Sequence, residues 1–157
     1  MQDSRPLLPD DVFRTKLDRT IAALRQWGQE VADCAKVAEV QEQSHWWFVA
    51  IPHARGACRF ELVLHHNQKH DIALDHEPYE DRHVGELELL LPIAQATAAG
   101  NVFRRFRKSA NTGAHLAIET VVRLPDEKRW QADRWLVSGK PLGRTTLDDR
   151  WFLPYRR

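Results

Sequence analysis

The period of the hydrophobic pattern changes once near the middle of the first half of this chain, and that change decides which layers it can build. Up to about residue 41 the apolar residues return every three or four positions: Phe13, Leu17, Ile21, Leu24, Gly28, Val31, Ala35 and Ala38. That spacing predicts an amphipathic helix opening at Asp10 or Asp11. From Ser44 onward the period is two. His45–Ile51 (HWWFVAI) is apolar on both faces and reads as a buried strand, Ala57–His66 alternates cleanly, and His70–His76 alternates again around Ile72 and Leu74. Glu77–His83 reads as a loop. A second helical stripe follows at Leu87, Leu90, Leu91, Ala94 and Ala98, with Pro92 in its first turn or at a kink and Gly100-Asn101 as its stop. A second hairpin, Val102–Lys108 and His115–Leu124, flanks the turn SANTG, and Lys128–Val137 supplies one more strand. The expected fold is therefore one α+β domain over residues 1–157. An antiparallel sheet of five or six strands carries a long N-terminal helix and a second, shorter helix on one face. Residues 1–9 form a polar leader, and residues 138–157 form a tail that docks through Trp151, Phe152 and Tyr155 or stays partly mobile.

Length adds a constraint on the first helix. Run unbroken to Gln41, it would measure roughly 45 Å at 1.5 Å per residue, against a radius of gyration near ~15 Å for a domain of this size. Either it breaks near Gly28 or its surplus packs on a second subunit, and the preferred expectation is a homodimer through the N-terminal helix.

Five of the eight histidines fall between His65 and His83, among carboxylates. Imidazole and carboxylate are the commonest metal ligands and proton carriers, so strand register decides whether they can act together. A three-residue turn at Asn67–Lys69 matches the apolar faces by pairing Leu64 with Ile72, Leu62 with Leu74 and Phe60 with His76. It makes His66 and His70 cross-strand neighbours about 5 Å apart. His65 turns to the opposite face, and His76 lies roughly 20 Å along the strand from His70. His66 and His70 are thus the candidate metal pair. A third ligand would have to come from His45, His53, Asp71 or His115, because zinc sites use at least three protein ligands.

Two other groupings carry chemistry. The run Arg104-Arg105-Phe106-Arg107-Lys108 interleaves cations with aromatic rings, as surfaces for single-stranded nucleic acid do. With the hairpin centred on Asn111, Arg105 and Arg107 lie opposite Ala117 and His115, a face able to grip a phosphate or carboxylate. Trp46 and Trp47 could line an apolar ligand pocket, or pack the core.

No GxSxG elbow, phosphate-binding glycine loop, CxxC or HExxH occurs. No apolar run approaches the roughly 18 residues of a membrane span, and the N-terminus has no secretory pattern. Cys34 and Cys58 read as free thiols of a cytoplasmic protein. Charge is uneven: residues 1–100 hold 10 basic and 16 acidic side chains, whereas residues 101–157 hold 13 and 6. The residues read as those of a non-catalytic binding protein that recognises a protein or small ligand as a cytoplasmic homodimer. One alternative is a metal-binding protein or metal-dependent enzyme using His66 and His70, and the other is nucleic-acid or anion binding along Arg104–Lys108.

Overall fold

The computed structural model describes residues 6–138 and 143–156. The order is α1 (Asp10–Glu30), β1 (Ala35–Gln41), β2 (His45–Pro52), β3 (Phe60–His65), β4 (Lys69–Leu74) and β5 (Glu77–His83). A 3-10 turn (Val84–Leu89) leads into α2 (Leu90–Ala98), and β6 (Val102–Ser109), β7 (His115–Arg123), β8 (Arg129–Trp135) and β9 (Thr145–Trp151) complete the chain. The α+β class holds, with a long N-terminal helix and a shorter second one. The strands form two sheets, a five-stranded meander β1-β2-β3-β4-β5 and a four-stranded sheet β8-β7-β6-β9. In the second sheet the fourth strand returns beside the first, a Greek key. Every strand-to-strand pairing in both sheets is antiparallel.

The first helix is shorter than its pattern suggested. It ends at Glu30, and Ala35–Gln41 is a strand. Val31, Ala35 and Ala38 sit at helical spacing, but Ala35, Val37 and Glu39 also alternate, and seven consecutive pairs with β2 satisfy that backbone as a ladder. Gly28 makes the junction possible: a Cβ there would come within 3.0 Å of Val37 Cγ1. At 21 residues, α1 is about 31 Å long, so the surplus length that pointed to a dimer through this helix does not exist. Asp10 and Asp11 lie inside the first turn, where they favour the helix dipole, and Pro9 stands at the N-cap without a side-chain cap.

The core lies between the helices and the inner face of the first sheet. Phe13, Leu17, Leu24 and Trp27 of α1 and Leu90 and Ile93 of α2 pack on Trp46, Phe48, Phe60, Leu62, Ile72 and Leu74. Each such side chain contributes about 1.5–3 kcal/mol of burial. The second sheet joins this core at one end of its inner face through Val102, Val122, Trp130 and Ala132. It is tied to β4 and β5 by Arg104 Nη2 donating to Leu74 O (2.5 Å), by a Tyr79–Thr120 hydroxyl bond (2.6 Å) and by the Arg134–Glu77 ion pair (2.5 Å).

Glu77–His83 is strand β5 and not a loop, completing the meander against β4. β9 is a strand within what read as a turn-rich tail. Of the tail's aromatics, Tyr155 is buried and donates to Cys58 O (2.7 Å), Phe152 packs partly against the core, and Trp151 stays exposed. The leader is anchored at its described end, where Leu8 exchanges two 2.8 Å bonds with Gln68. Residues 1–5 of the leader and residues 139–142 and 157 of the tail lie outside the described residues. Among the described residues, no helix is long and apolar enough to cross a membrane.

Candidate functional site

The β3–β4 register differs from the expected one. Leu64 pairs with His70, Leu62 with Ile72 and Phe60 with Leu74. The turn is His66-Asn67-Gln68, with Gln68 at φ 68° and Asn67 Oδ1 accepting from Lys69 N (3.0 Å). The slip from the expected pairing is two positions. Such a slip leaves every side chain on its own face, so the alternation that selected the other register could not tell them apart. As a result, His66 is an exposed turn residue, His70 lies in the core opposite Leu64 and Arg82, and the two are not cross-strand partners. The expected His66/His70 metal pair is not formed.

His70 instead meets an acid that sequence reasoning passed over. It is 1% exposed, and its Nε2 lies 3.4 Å from Glu86 Oε2 without the alignment of a hydrogen bond. Arg82 donates to both oxygens of Glu86 (3.1 and 2.6 Å), its guanidinium lies 5.3 Å from the Trp130 ring, and Trp130 Nε1 donates to Oε2 (3.4 Å). Burial pushes the Glu86 carboxyl up, but His70, Arg82 and Trp130 outweigh it and hold the group at about 2. These contacts clamp together β4, β5, the 3-10 turn and β8.

A facing histidine pair does exist, but it is His45–His65. They are cross-strand partners with ring centroids 6.1 Å apart on the outer face of the first sheet, and His65 Nε2 bonds Asp71 Oδ2 (2.7 Å). Ser44 Oγ holds His45 Nδ1 at 3.0 Å. Among the described residues, no group of three or more His, Cys, Asp or Glu side chains could hold a metal ion.

Trp46 and Trp47, adjacent on β2, face opposite ways. Trp46 is buried against Phe48 (5.3 Å between rings) with Nε1 bonded to Glu39 Oε2, so it packs the core. Trp47 is half-buried on the outer face beside Val40, His45 and Val63, where a shallow depression of about 650 Å³ opens. A groove of about 630 Å³ runs between α1 and α2, lined by Val12, Ala23, Leu87, Leu91 and Pro92 and rimmed by the Lys16–Glu88 pair. The depression beside Trp47 also carries Glu42, Gln43, Ser44 and His45, and the groove between α1 and α2 also carries Asp11, Thr15, Arg19 and Thr20.

The basic strand β6 is also shifted by two from its expected pairing. Arg105 faces Glu119 and Arg107 faces Ala117, and a bulge at Arg107/Lys108 puts His115 opposite Lys108, where it stacks edge-on with Phe106 (5.4 Å). The expected Arg105/Arg107/His115 trio is therefore split between the two faces of the sheet. Arg105 is bound to Asp149 (2.7 and 2.9 Å) and Arg107 to Glu119 (3.1 Å). The Arg105 bond holds the Asp149 carboxyl below its ordinary value, and the Asp149 bond raises Arg105.

The outer face of the second sheet is built in three rows across β8, β7, β6 and β9. One row is Trp135, Ala117, Arg107 and Leu147; the next is Asp133, Glu119, Arg105 and Asp149; the third is Gln131, Val121, Phe103 and Trp151. The two inner strands are already covered, with Val121 and Ala117 buried beneath their neighbours. The outer strands are not. Trp135 is 47% exposed, Trp151 49% and Leu147 50%. Trp151 stacks on Phe103 at 4.6 Å, and Arg123 lies 4.8 Å from its ring. Only the pairing of β9 with β6 puts Trp151 and Trp135 on one surface. No family model, curated protein or solved structure matches this chain.

Proposed function

We propose that this chain is a non-catalytic binding protein that recognises a protein partner through the outer face of its second sheet. The observation that carries the reading is the exposure of Trp135, Trp151 and Leu147 at three corners of a face at whose centre Arg105 is paired with Asp149 and Arg107 with Glu119. Tryptophan and arginine dominate the binding energy of protein interfaces, and charges already paired can be covered at less cost than free ones. Single-stranded nucleic acid fits this face less well. Its affinity rests on cations free to replace counterions, whereas Arg105 and Arg107 are each neutralised by a carboxylate. The two thiols, Cys34 and Cys58, are free, which suits a reducing compartment and supports a cytoplasmic location.

Oxidative footprinting of the dilute protein, alone and in an extract of its own cells, tests the assignment. Protection of Trp135, Trp151 and Leu147 in the extract is the expected result. Protection confined to the α1–α2 groove or to the first sheet overturns it.

A further inference from the structure

The rows of the second sheet point to a more specific partner, a step that rests on this face being the binding surface. We infer that the partner fitted by this face is a second copy of the same chain, joined sheet to sheet around a two-fold axis parallel to the strands. Stacked sheets pack with their strands nearly aligned, within about 30°, so two orientations of the axis need to be compared.

An axis across the strands lays each middle-row residue over its own copy. Glu119 would meet Glu119 and Arg105 would meet Arg105, and like charges brought together out of water oppose association. An axis along the strands, between β7 and β6, instead lays β6 over the partner's β7. Arg105 then lies over Glu119 twice over and Trp135 meets Leu147, while Phe103 and Val121, both buried within their own sheet, stay beneath the contact. Trp151 covers the aliphatic part of Gln131. Asp133 and Asp149 meet as like charges, also twice over, at the sheet edges, where Asp149 already carries its bond to Arg105 (2.7 Å) and Asp133 accepts one from Trp135 Nε1 (3.0 Å). The face is therefore self-complementary in one orientation only, as an isologous interface requires. The apolar corner of each copy covers the other's.

The area sets the strength. Four strands about 4.8 Å apart and five residues at about 3.3 Å give roughly 300 Å² a side in projection. That is less than half of the roughly 800 Å² a side that a stable complex buries. The dimer is accordingly weak and concentration-dependent, with half-association in the range of roughly 10–500 µM.

Sedimentation equilibrium of the full chain from 5 to 500 µM tests this. The expected result is a reversible monomer–dimer equilibrium that weakens at least tenfold in Trp135→Ser/Trp151→Ser. Both side chains are half-exposed, but Trp151 also packs on Phe103 (4.6 Å) within its own sheet, so a lower melting temperature is expected and circular dichroism checks that the variant is folded under the conditions of the run. Val40→Ser, on the edge strand of the first sheet, should leave association unchanged. A chain still monomeric at 500 µM, or a dimer indifferent to the double substitution, overturns the inference. If the chain is monomeric while the footprint in extract still falls on Trp135 and Trp151, a different protein occupies the face. Self-association then fails while the assignment of the surface survives. If neither effect appears, both fail.

Discussion

Replacing Glu86 by Gln removes one charge and almost no volume from the buried clamp, and its cost can be worked out from the site. Glu86 is held at about 2 in the folded protein against an ordinary value of 4.5. A folded value below the unfolded one means that the carboxylate stabilises the fold above pH 4.5. The contribution is lost as pH falls toward 2. At neutral pH the difference of about 2.5 units is worth about 3 kcal/mol. The same linkage leaves roughly half of that at pH 3 and nearly none by pH 2. Glutamine has no proton to gain, so the stability gap between wild type and Glu86→Gln isolates this one titration. Urea unfolding followed by circular dichroism at pH 7, 3 and 2 reads the gap directly. The prediction is a gap of about 3 kcal/mol that closes on acidification. Equal stabilities at pH 7 would refute the clamp. So would a gap that stays constant down to pH 2, because the loss would then be one of packing and not of charge.

His66 and His70 should separate in the same assay. His66→Ala, in an exposed turn, should change stability by less than about 0.5 kcal/mol, whereas His70→Ala opens a cavity beside Glu86 and should cost about 2 kcal/mol or more. Equal effects would contradict the pairing of Leu64 with His70. Gly100 and Gly113 both have positive φ (79° and 72°), but a Cβ on Gly100 would lie 2.8 Å from Pro154 N, whereas one on Gly113 meets nothing within 4 Å. Gly113→Ala should therefore cost about 1 kcal/mol of backbone strain, and Gly100→Ala at least about 2 kcal/mol by displacing the docked tail. Thermal melts that rank them the other way would argue against that docking. Burial pushes the Cys58 thiol far up and raises Cys34 as well, but only Cys58 is fully enclosed. A thiol reagent should label Cys34 slowly in the native protein and Cys58 only on unfolding, and rapid labelling of both would refute this burial.

Much of the fold was legible because it depends on local periodicity. The amphipathic first half of α1, the alternation of β3 and β4, the break at Gly100 and the β6–β7 hairpin all follow from which side chains shun water. Two of the failures share one cause. Alternation assigns a residue to a face but not to a partner, so a slip of two positions is invisible to it. Both hairpins slipped by two. In β3–β4 the turn residue Gln68 takes positive φ and binds the leader at Leu8, which moves the turn back by one residue. In β6–β7 the bulge at Lys108 carries His115 to the other face. The end of α1 was misread for a different reason: Ala35 belongs both to the helical series with Val31 and Ala38 and to the alternating series with Val37 and Glu39, and only pairing with the β2 edge resolves such a tie.

The sequence by itself determined the layers of this protein: helix first, strands after, one face of each apolar, with no assembled catalytic motif. Tertiary structure decided everything that requires distant residues to meet. It chose His70, Arg82, Glu86 and Trp130 for the clamp, split Arg105 and Arg107 from His115, and brought Trp135 and Trp151 onto one surface across four strands. The physical reason is that burial is a property each side chain carries wherever it goes. Partnership depends on register and chain return, and these are settled by turns, bulges and neighbouring strands outside the segment being read.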